Sequence, residues 1–312
     1  MIGKRVVGLG FCPLDEIIVV ETYPTIGMKV SSAFATRFGG GAVATGLVLL
    51  SALGIQTQFI STVGNDEDGK FLLDALQQKG VNCNLVRQVA GEATYRTVII
   101  VDASNHKATV ITPKVSPVND TLYSNPNILE GASILHLDGY YLDDALELAR
   151  FAKQQAVLVS INVGRKRQGM EKLLSLADIL VTSRSFALEE SACSSPEVAL
   201  NYLRKKYPLR IIAITLQDKG AICWSKDCGV IKTDGISVGV IDDSSAGDIF
   251  HGAFLFGILN EWPMQKTVMF SNATAAYSCR FYGGREGIPD CEGAVWDFLP
   301  KITVHCPDDY SH

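Results

Sequence analysis

The chain has 312 residues, with 28 Lys and Arg against 33 Asp and Glu for a net charge of −5. With 47% hydrophobic residues it can build one large α/β domain or two ordinary ones, and the lack of a long basic run argues against a nucleic-acid-binding surface. No apolar stretch approaches the roughly 20 residues that span a bilayer, and the N-terminus enters a strand-like run without signal-peptide architecture.

In chain order, residues 5–10 read as a first strand. Gly8-Leu9-Gly10 begins like a dinucleotide fingerprint, but the third glycine is missing. Residues 17–20 then look like a strand rather than a helix, so a Rossmann site is not expected. Residues 43–53 read as a buried helix rich in small side chains, 57–63 as a strand and 69–79 as an amphipathic helix. The segment from Gly64 to Phe71 has P-loop spacing up to Lys70. Phe71 has no hydroxyl for a metal, and three acids inside the loop repel phosphate, so a tight turn before a helix is expected. Residues 97–101 and 108–112 flank the polar turn Ser104-Asn105-His106-Lys107 and predict a hairpin. With residues 17–38, this hairpin forms a small projecting sheet. Strand-like runs at 133–137, 157–161, 179–182 and 211–215 alternate with helical patterns, which predicts a largely parallel sheet covered by helices. No linker-like tract or repeat interrupts the chain. One domain over 1–312 is therefore expected, with a lid from about 17–38 and 91–114.

The eight cysteines form no Cys-x-x-Cys pair, and the five histidines show no ligand-like spacing with them. Reduced thiols in a cytoplasmic protein are expected, without a zinc site.

The segment Asp242-Asp243-Ser244-Ser245-Ala246-Gly247-Asp248 carries the most chemistry. Small residues precede a carboxylate and an apolar, helix-compatible run. This places unencumbered backbone N–H groups at a helix N-terminus, where orphan donors and the dipole attract anions. Amides of Ser245, Ala246 and Gly247 beside Asp248 as general base suit phosphoryl transfer to a hydroxyl. An N-capped buried helix would explain an isolated Ala-Gly-Asp equally well. A second, glycine-rich segment lies upstream. That second segment, Phe38-Gly39-Gly40-Gly41-Ala42-Val43-Ala44-Thr45-Gly46, lets a ligand approach the backbone closely.

Together the two segments resemble the signatures of the ribokinase (PfkB) family of carbohydrate kinases. Ala246, Gly247 and Asp248 match the C-terminal signature, while Asp243, Ser244 and Ser245 depart from it. The resemblance extends over nearly the whole chain and includes the Gly-x-Asp-x-x-Gly turn at Gly64, Asp66 and Gly69. It implies a ribokinase-like α/β fold, ATP as donor and Mg²⁺ as required cation; no metal ligand is assigned. It also implies sugar contacts by Asp15, Gly40 and Gly41, and by Thr45 where many members carry asparagine. Asn162 and Arg165 partly retain an Asp-x-Asn-x-Arg pattern, with Ser160 in place of its aspartate. Thr215 and Gly220 resemble a nucleotide-edge segment, and Asn272, Ala276 and Gly284 fall near the implied adenine pocket. Ser183-Arg184-Ser185-Phe186 stands where many members have Asn-x-x-Glu, a motif from which ketohexokinase-like members also depart. The segments from Gly283 to Cys291 and from Asp248 to Ala253 look most like the sulfofructose kinase branch. Lys29 fits that branch as an anion-binding candidate, but Gly139 falls where its sulfonate-binding arginine is expected.

The expected activity is ATP-dependent phosphorylation of a hydroxymethyl group on a small sugar. A nucleoside kinase and a catalytically silent sugar- or nucleotide-binding regulator are the alternatives. A single partly solvated lysine contributes little, so a neutral sugar is expected to serve at least as well as a sulfonated one. The open edges of the small sheet make a homodimer through it an expectation.

Overall fold

Adjacent residues along the central strands are both apolar, a pattern that requires a sheet covered on its two faces. The computed structural model describes residues 4–104, 107–113, 125–299 and 304–305. The chain begins with β1 (Arg5–Leu9), β2 (Leu14–Val20), β3 (Ser32–Gly39), α1 (Ala42–Ala52), β4 (Gln56–Gly64), α2 (Glu67–Gln78) and β5 (Asn82–Val89). It continues through β6 (Arg96–Asp102), β7 (Lys107–Ile111), β8 (Ile134–Leu137), α3 (Leu142–Gln154), β9 (Leu158–Val163), α4 (Met170–Leu174) and β10 (Ile179–Ser183). Then follow α5 (Arg184–Ser191), α6 (Pro196–Lys206), β11 (Ile211–Thr215), β12 (Ala221–Ser225) and β13 (Gly229–Thr233). Last are α7 (Ala246–Leu259), α8 (Met264–Ser278), α9 (Glu292–Phe298) and β14 (Val304–His305).

The main sheet has the order β14-β13-β12-β11-β10-β9-β8-β1-β4-β5. Pairing is parallel from β5 to β11 and antiparallel from β11 to β14. Val6, Phe59, Ile134 and Ile179 face one apolar layer with α1, α2, α7, α8 and α9. Their neighbours Val7, Ile60, Leu135 and Leu180 face the other, with α3 to α6. The expected strands and helices of this part hold to within two residues at each end. The antiparallel extension β12–β14 was not foreseen.

A second, four-stranded sheet has the order β3-β2-β6-β7 and its own apolar core of Ile17, Val19, Ile99 and Val101. The expected hairpin is β6 and β7, although its tip at 105–106 and residue 114 lie outside the described residues. This sheet begins at Leu14 rather than at 17, and residues 21–31 contribute no strand to it. β2 pairs antiparallel with β3 and parallel with β6. Its base is tied to α2. Asp68 receives Arg96 at 2.6 Å and Arg37 at 3.4 Å. Asp66 caps α2 through Gly69 N and also accepts from Thr94 N, both at 2.8 Å. The glycine-bounded turn read as a P-loop decoy is therefore a joint between a helix and the small sheet.

α7 is apolar on all sides, which marks a fully buried helix. Residues from Ile249 to Gly257 are buried, with α1 and α8 on either side. Its N-terminus emerges at the C-terminal ends of the parallel strands. Among the described residues, no helix is long and apolar enough to cross a membrane.

Candidate active site

A cleft of about 520 Å³ lies along the C-terminal ends of β1, β8, β9, β10 and β11. Thr97 and Ile99 of β6 and Val110 of β7 line it from the small sheet, and the N-terminus of α7 from the other side. Ligands of parallel α/β sheets bind at this end, where loops and helix N-termini converge.

Asp248 lies in the first turn of α7 and lines the cleft. Asn162 at the end of β9 donates from Nδ2 to Asp248 Oδ1 at 3.0 Å. Burial pushes the Asp248 carboxyl up to about 7, opposed by the Asn162 hydrogen bond and the Arg285 charge, and reinforced by Asp138. A carboxyl tuned to this range can take a proton near neutral pH. Beneath it, His251 Nε2 and Ser160 Oγ are 2.7 Å apart in the core. Ser160, at the position of the implied aspartate, thus meets an imidazole that burial keeps neutral.

The amides before Asp248 do not all face the cleft. Ala246 N donates to Asp243 O at 3.1 Å, so it is turned inward and corrects the expected three-donor anion hole. Ser245 and Gly247 line the cleft, and no hydrogen bond of their N–H groups occurs among the described residues. Asp242 shapes this loop, accepting from Ser244 N at 2.9 Å and Gly283 N at 3.0 Å.

Asp15 of β2 enters the same cleft, and burial raises its carboxyl to about 7. Arg285 lowers it, Asp248 raises it, and Thr97 lowers it by a hydrogen bond. A Cβ on Gly40 would lie 2.3 Å from the Asp15 carboxylate, so glycine is needed for the carboxylate to sit there. Gly41 has φ +98 and lines the cleft as the N-cap of α1. Gly40 itself does not line it; its carbonyl accepts from Arg285 Nη2. Thr45 is buried, with Oγ1 3.5 Å from Arg285 Nε, so it faces the guanidinium rather than the expected sugar.

The other expected residues divide by position. Arg165 and Thr215 line the cleft beyond Asn162. Ser183 lines it too and caps α5 at Phe186 N, while Phe186, at the position of the Glu in Asn-x-x-Glu, fills the core. Gly220 lies outside the cleft, where its carbonyl accepts from Leu216 N at 2.7 Å. Asn272 of α8 bonds Thr233 and Asp234, and Ala276 sits one turn on; neither lines the cleft. Gly284 backs the anion-hole loop, since its Cβ would lie 1.9 Å from Ser245 Oγ. Lys29 is exposed in the irregular stretch before β3 and does not line the cleft.

Two residues that the sequence did not single out also belong here. Asp138, just past β8, accepts from Phe11 N at 2.9 Å and Tyr140 N at 3.0 Å. Burial raises its carboxyl to about 6, against the pull of those two N–H groups and of Arg167. Arg285 was noticed only within a glycine-rich motif, yet it joins the starts of α1 and of the loop before α9. An acid directly after a predicted parallel strand was the available signal for Asp138.

These carboxyls give the apo protein an unusual pH dependence. Folding raises Asp15 and Asp248 from 3.8 to about 7, so the native state holds more protons than the unfolded chain between those values. Stability then falls as pH rises through this window. The buried His136 and His251, which folding lowers, contribute with the opposite sign. The difference between variants is therefore the test: between pH 5 and pH 8 the parent should lose stability to urea relative to Asp248→Asn. An equal pH dependence in both proteins would contradict the assignment.

A profile of the pfkB family carbohydrate kinases matches residues 12–291. A nucleoside kinase of Methanothermobacter thermautotrophicus is 23% identical over 96% of this chain and 99% of its own. An ATP-dependent ribose-1-phosphate kinase of Halopiger xanaduensis is 25% identical over 91% of this chain and 93% of its own. Among solved structures, Arabidopsis thaliana ribokinase complexed with ribose and ATP superposes with a TM-score of 0.77 at 22% identity, over 95% of this chain and 98% of that one. The fold is ribokinase-like, and with the profile matched across most of its length the chain belongs to the pfkB family of carbohydrate kinases.

Proposed function

We propose that the protein transfers a phosphoryl group from ATP to a hydroxymethyl group of a small sugar. The observation that carries this reading is Asp248 at the start of α7, fixed by Asn162 beside the Ser245 and Gly247 amides. In the mechanism, the sugar lies between Asp15 and Asp248, with Asp15 accepting hydroxyl hydrogen bonds. Asp248 takes the proton of the attacking hydroxyl. The Ser245 and Gly247 N–H groups stabilise charge on the transferring group. Thr97, Ile99 and Val110 cover the cleft and limit water, so transfer to the sugar wins over hydrolysis. Arg165, Ser183 and Thr215 mark the donor end.

The family implies Mg²⁺, which keeps water and phosphate oxygens as ligands and needs few from protein. The donor set fits: Asn162 spends an N–H on Asp248 and retains its carbonyl oxygen as a hard donor. When bound, the ion would neutralise charge on the donor phosphates.

The nucleoside kinase reading is the less favoured. Phe11 stacks on Tyr140 with centroids 4.7 Å apart and meets Tyr95 at 5.5 Å, so the two rings that line the cleft, Phe11 and Tyr140, pack on one another. A silent binding protein would have no use for a carboxyl tuned to about 7. ADP release measured over pentoses, ketohexoses and nucleosides should show turnover on sugars. Asp248→Asn should lower kcat by about 10²–10⁴-fold while leaving ATP binding largely intact. A variant within a fewfold of the parent, or turnover confined to nucleosides, would overturn the reading.

A dimer through the small sheet is part of the proposal. Phe34 and Ile111, on its two edge strands, are exposed, as are Met28 and Val30 beside β3. Edge strands with apolar surface favour pairing with a second chain. Light scattering should give a dimer mass, and a monomer mass at all working concentrations would count against it.

A further inference from the structure

Apolar contacts hold α7 in the core without fixing how it turns or slides, because hydrophobic burial is non-directional. The position of Asp248 therefore needs a directional partner deeper in the helix. His251 is the only polar side chain in the buried run from Ile249 to Gly257. Asp248 and His251, three residues apart, share a face of α7, as Ser160 and Asn162, two residues apart, share a face of β9. Two hydrogen bonds join those faces. Asn162 Nδ2 donates to Asp248 Oδ1 at 3.0 Å in the cleft, and one turn deeper His251 Nε2 and Ser160 Oγ meet at 2.7 Å.

The deeper bond is enclosed. Ser160, His251 and His136 are fully buried. The His136 ring on β8, level with Ser160 in the sheet, meets the His251 ring edge-on with centroids 4.4 Å apart. α1 comes close as well: a Cβ on Gly252 would lie 2.9 Å from the Gly46 carbonyl oxygen, and one on Gly46 would lie 3.2 Å from His136 Nε2. Burial holds both imidazoles neutral, so the bond joins uncharged partners. Breaking it would leave a buried hydroxyl or ring nitrogen unpaired, which is more unfavourable than the bond itself is favourable. The Asn162 bond, by contrast, sits in the first turn of α7 beside the open cleft, where helix ends fray.

We infer that Ser160 and His251 are positioning residues: their bond sets the register of α7 on β9 and so holds the Asp248 carboxylate against the Asn162 amide. This rests on the reading of Asp248 as the base and adds what keeps it in place. Neither Ser160 nor His251 lines the cleft, so they act through Asp248 and not on the substrate. Ser160 also gains a role at the position of the aspartate that the family resemblance implies. A hydroxyl suits a neutral imidazole there, whereas a carboxylate would add a like charge beneath Asp248.

The test is the titration of Asp248 in the apo protein, followed by carboxyl-carbon NMR and assigned by loss of the signal in Asp248→Asn. Asn162 and Arg285 lower this carboxyl, Asp138 raises it, and Asp15 on β2 is coupled to it. Ser160→Ala and His251→Leu leave all four in place. Each should move the Asp248 titration up by about half a unit to one unit, the equivalent of one hydrogen bond. Each should also lower kcat by about three- to tenfold, with little change in KM for ATP. Ser160→Thr, which keeps the hydroxyl, should stay near the parent and guards against misfolding of the leucine variant. In Asn162→Ala, where the bond to Asp248 is already gone, Ser160→Ala should shift the titration no further. A folded Ser160→Ala protein with the parent titration would overturn the inference, as would a shift that persists in the Asn162→Ala background. Full turnover in Asp248→Asn, or a parent that phosphorylates no sugar, would instead overturn the reading of Asp248 as base, and the NMR titration would still decide the positioning.

Discussion

The site depends on holding two carboxylates, Asp15 and Asp248, in one enclosed cleft without losing their ability to ionise near neutral pH. Burial alone would keep both protonated. Arg285 offsets that cost. Its guanidinium lies behind the cleft, bonded to the Gly40 carbonyl and near Thr45, and it lowers both carboxyls. Asn162 adds a directional hydrogen bond to Asp248 only. The two acids are also coupled, because ionisation of Asp248 raises Asp15. A sugar that hydrogen-bonds Asp15 would alter the basicity of Asp248 through the same coupling.

The surrounding architecture serves this arrangement. α7 is buried along most of its length, so its N-terminus, where Ser245 and Gly247 line the cleft, cannot drift. Asp242 clamps the loop before α7 to Gly283, and Gly284 leaves room for Ser245. On the other side, β2 carries Asp15 directly from the main sheet into the small one. Asp66 and Asp68 fasten the base of that sheet to α2. A movement of the small sheet would therefore carry Asp15 with it, which couples closure over the sugar to assembly of the site.

Much of this was legible in the sequence. Parallel strands buried on both faces are continuous apolar runs, so 211–215 was read with the bounds of β11 itself. The small-residue run before Asp248 located the start of α7, and its glycine-rich counterpart located Gly41. Contacts distant in sequence were not legible. Thr45 falls on the right helix, but its side chain is claimed by Arg285, 240 residues away. Ala246 looked like a free donor until the turn geometry gave its N–H to Asp243. Lys29 was placed by motif position alone, and the irregular stretch around it has no pattern that would fix its distance from the cleft.

The pH dependence of kcat/KM in an Arg285→Met variant tests the central claim most directly. The account predicts that the parent rises with pH along an acid limb near 7, as Asp248 ionises. Loss of the Arg285 charge should move that limb to higher pH, while Arg285→Lys should keep it near the parent position. An acid limb unchanged in a folded Arg285→Met protein would show that the guanidinium does not hold these carboxyls in range, and would contradict the account.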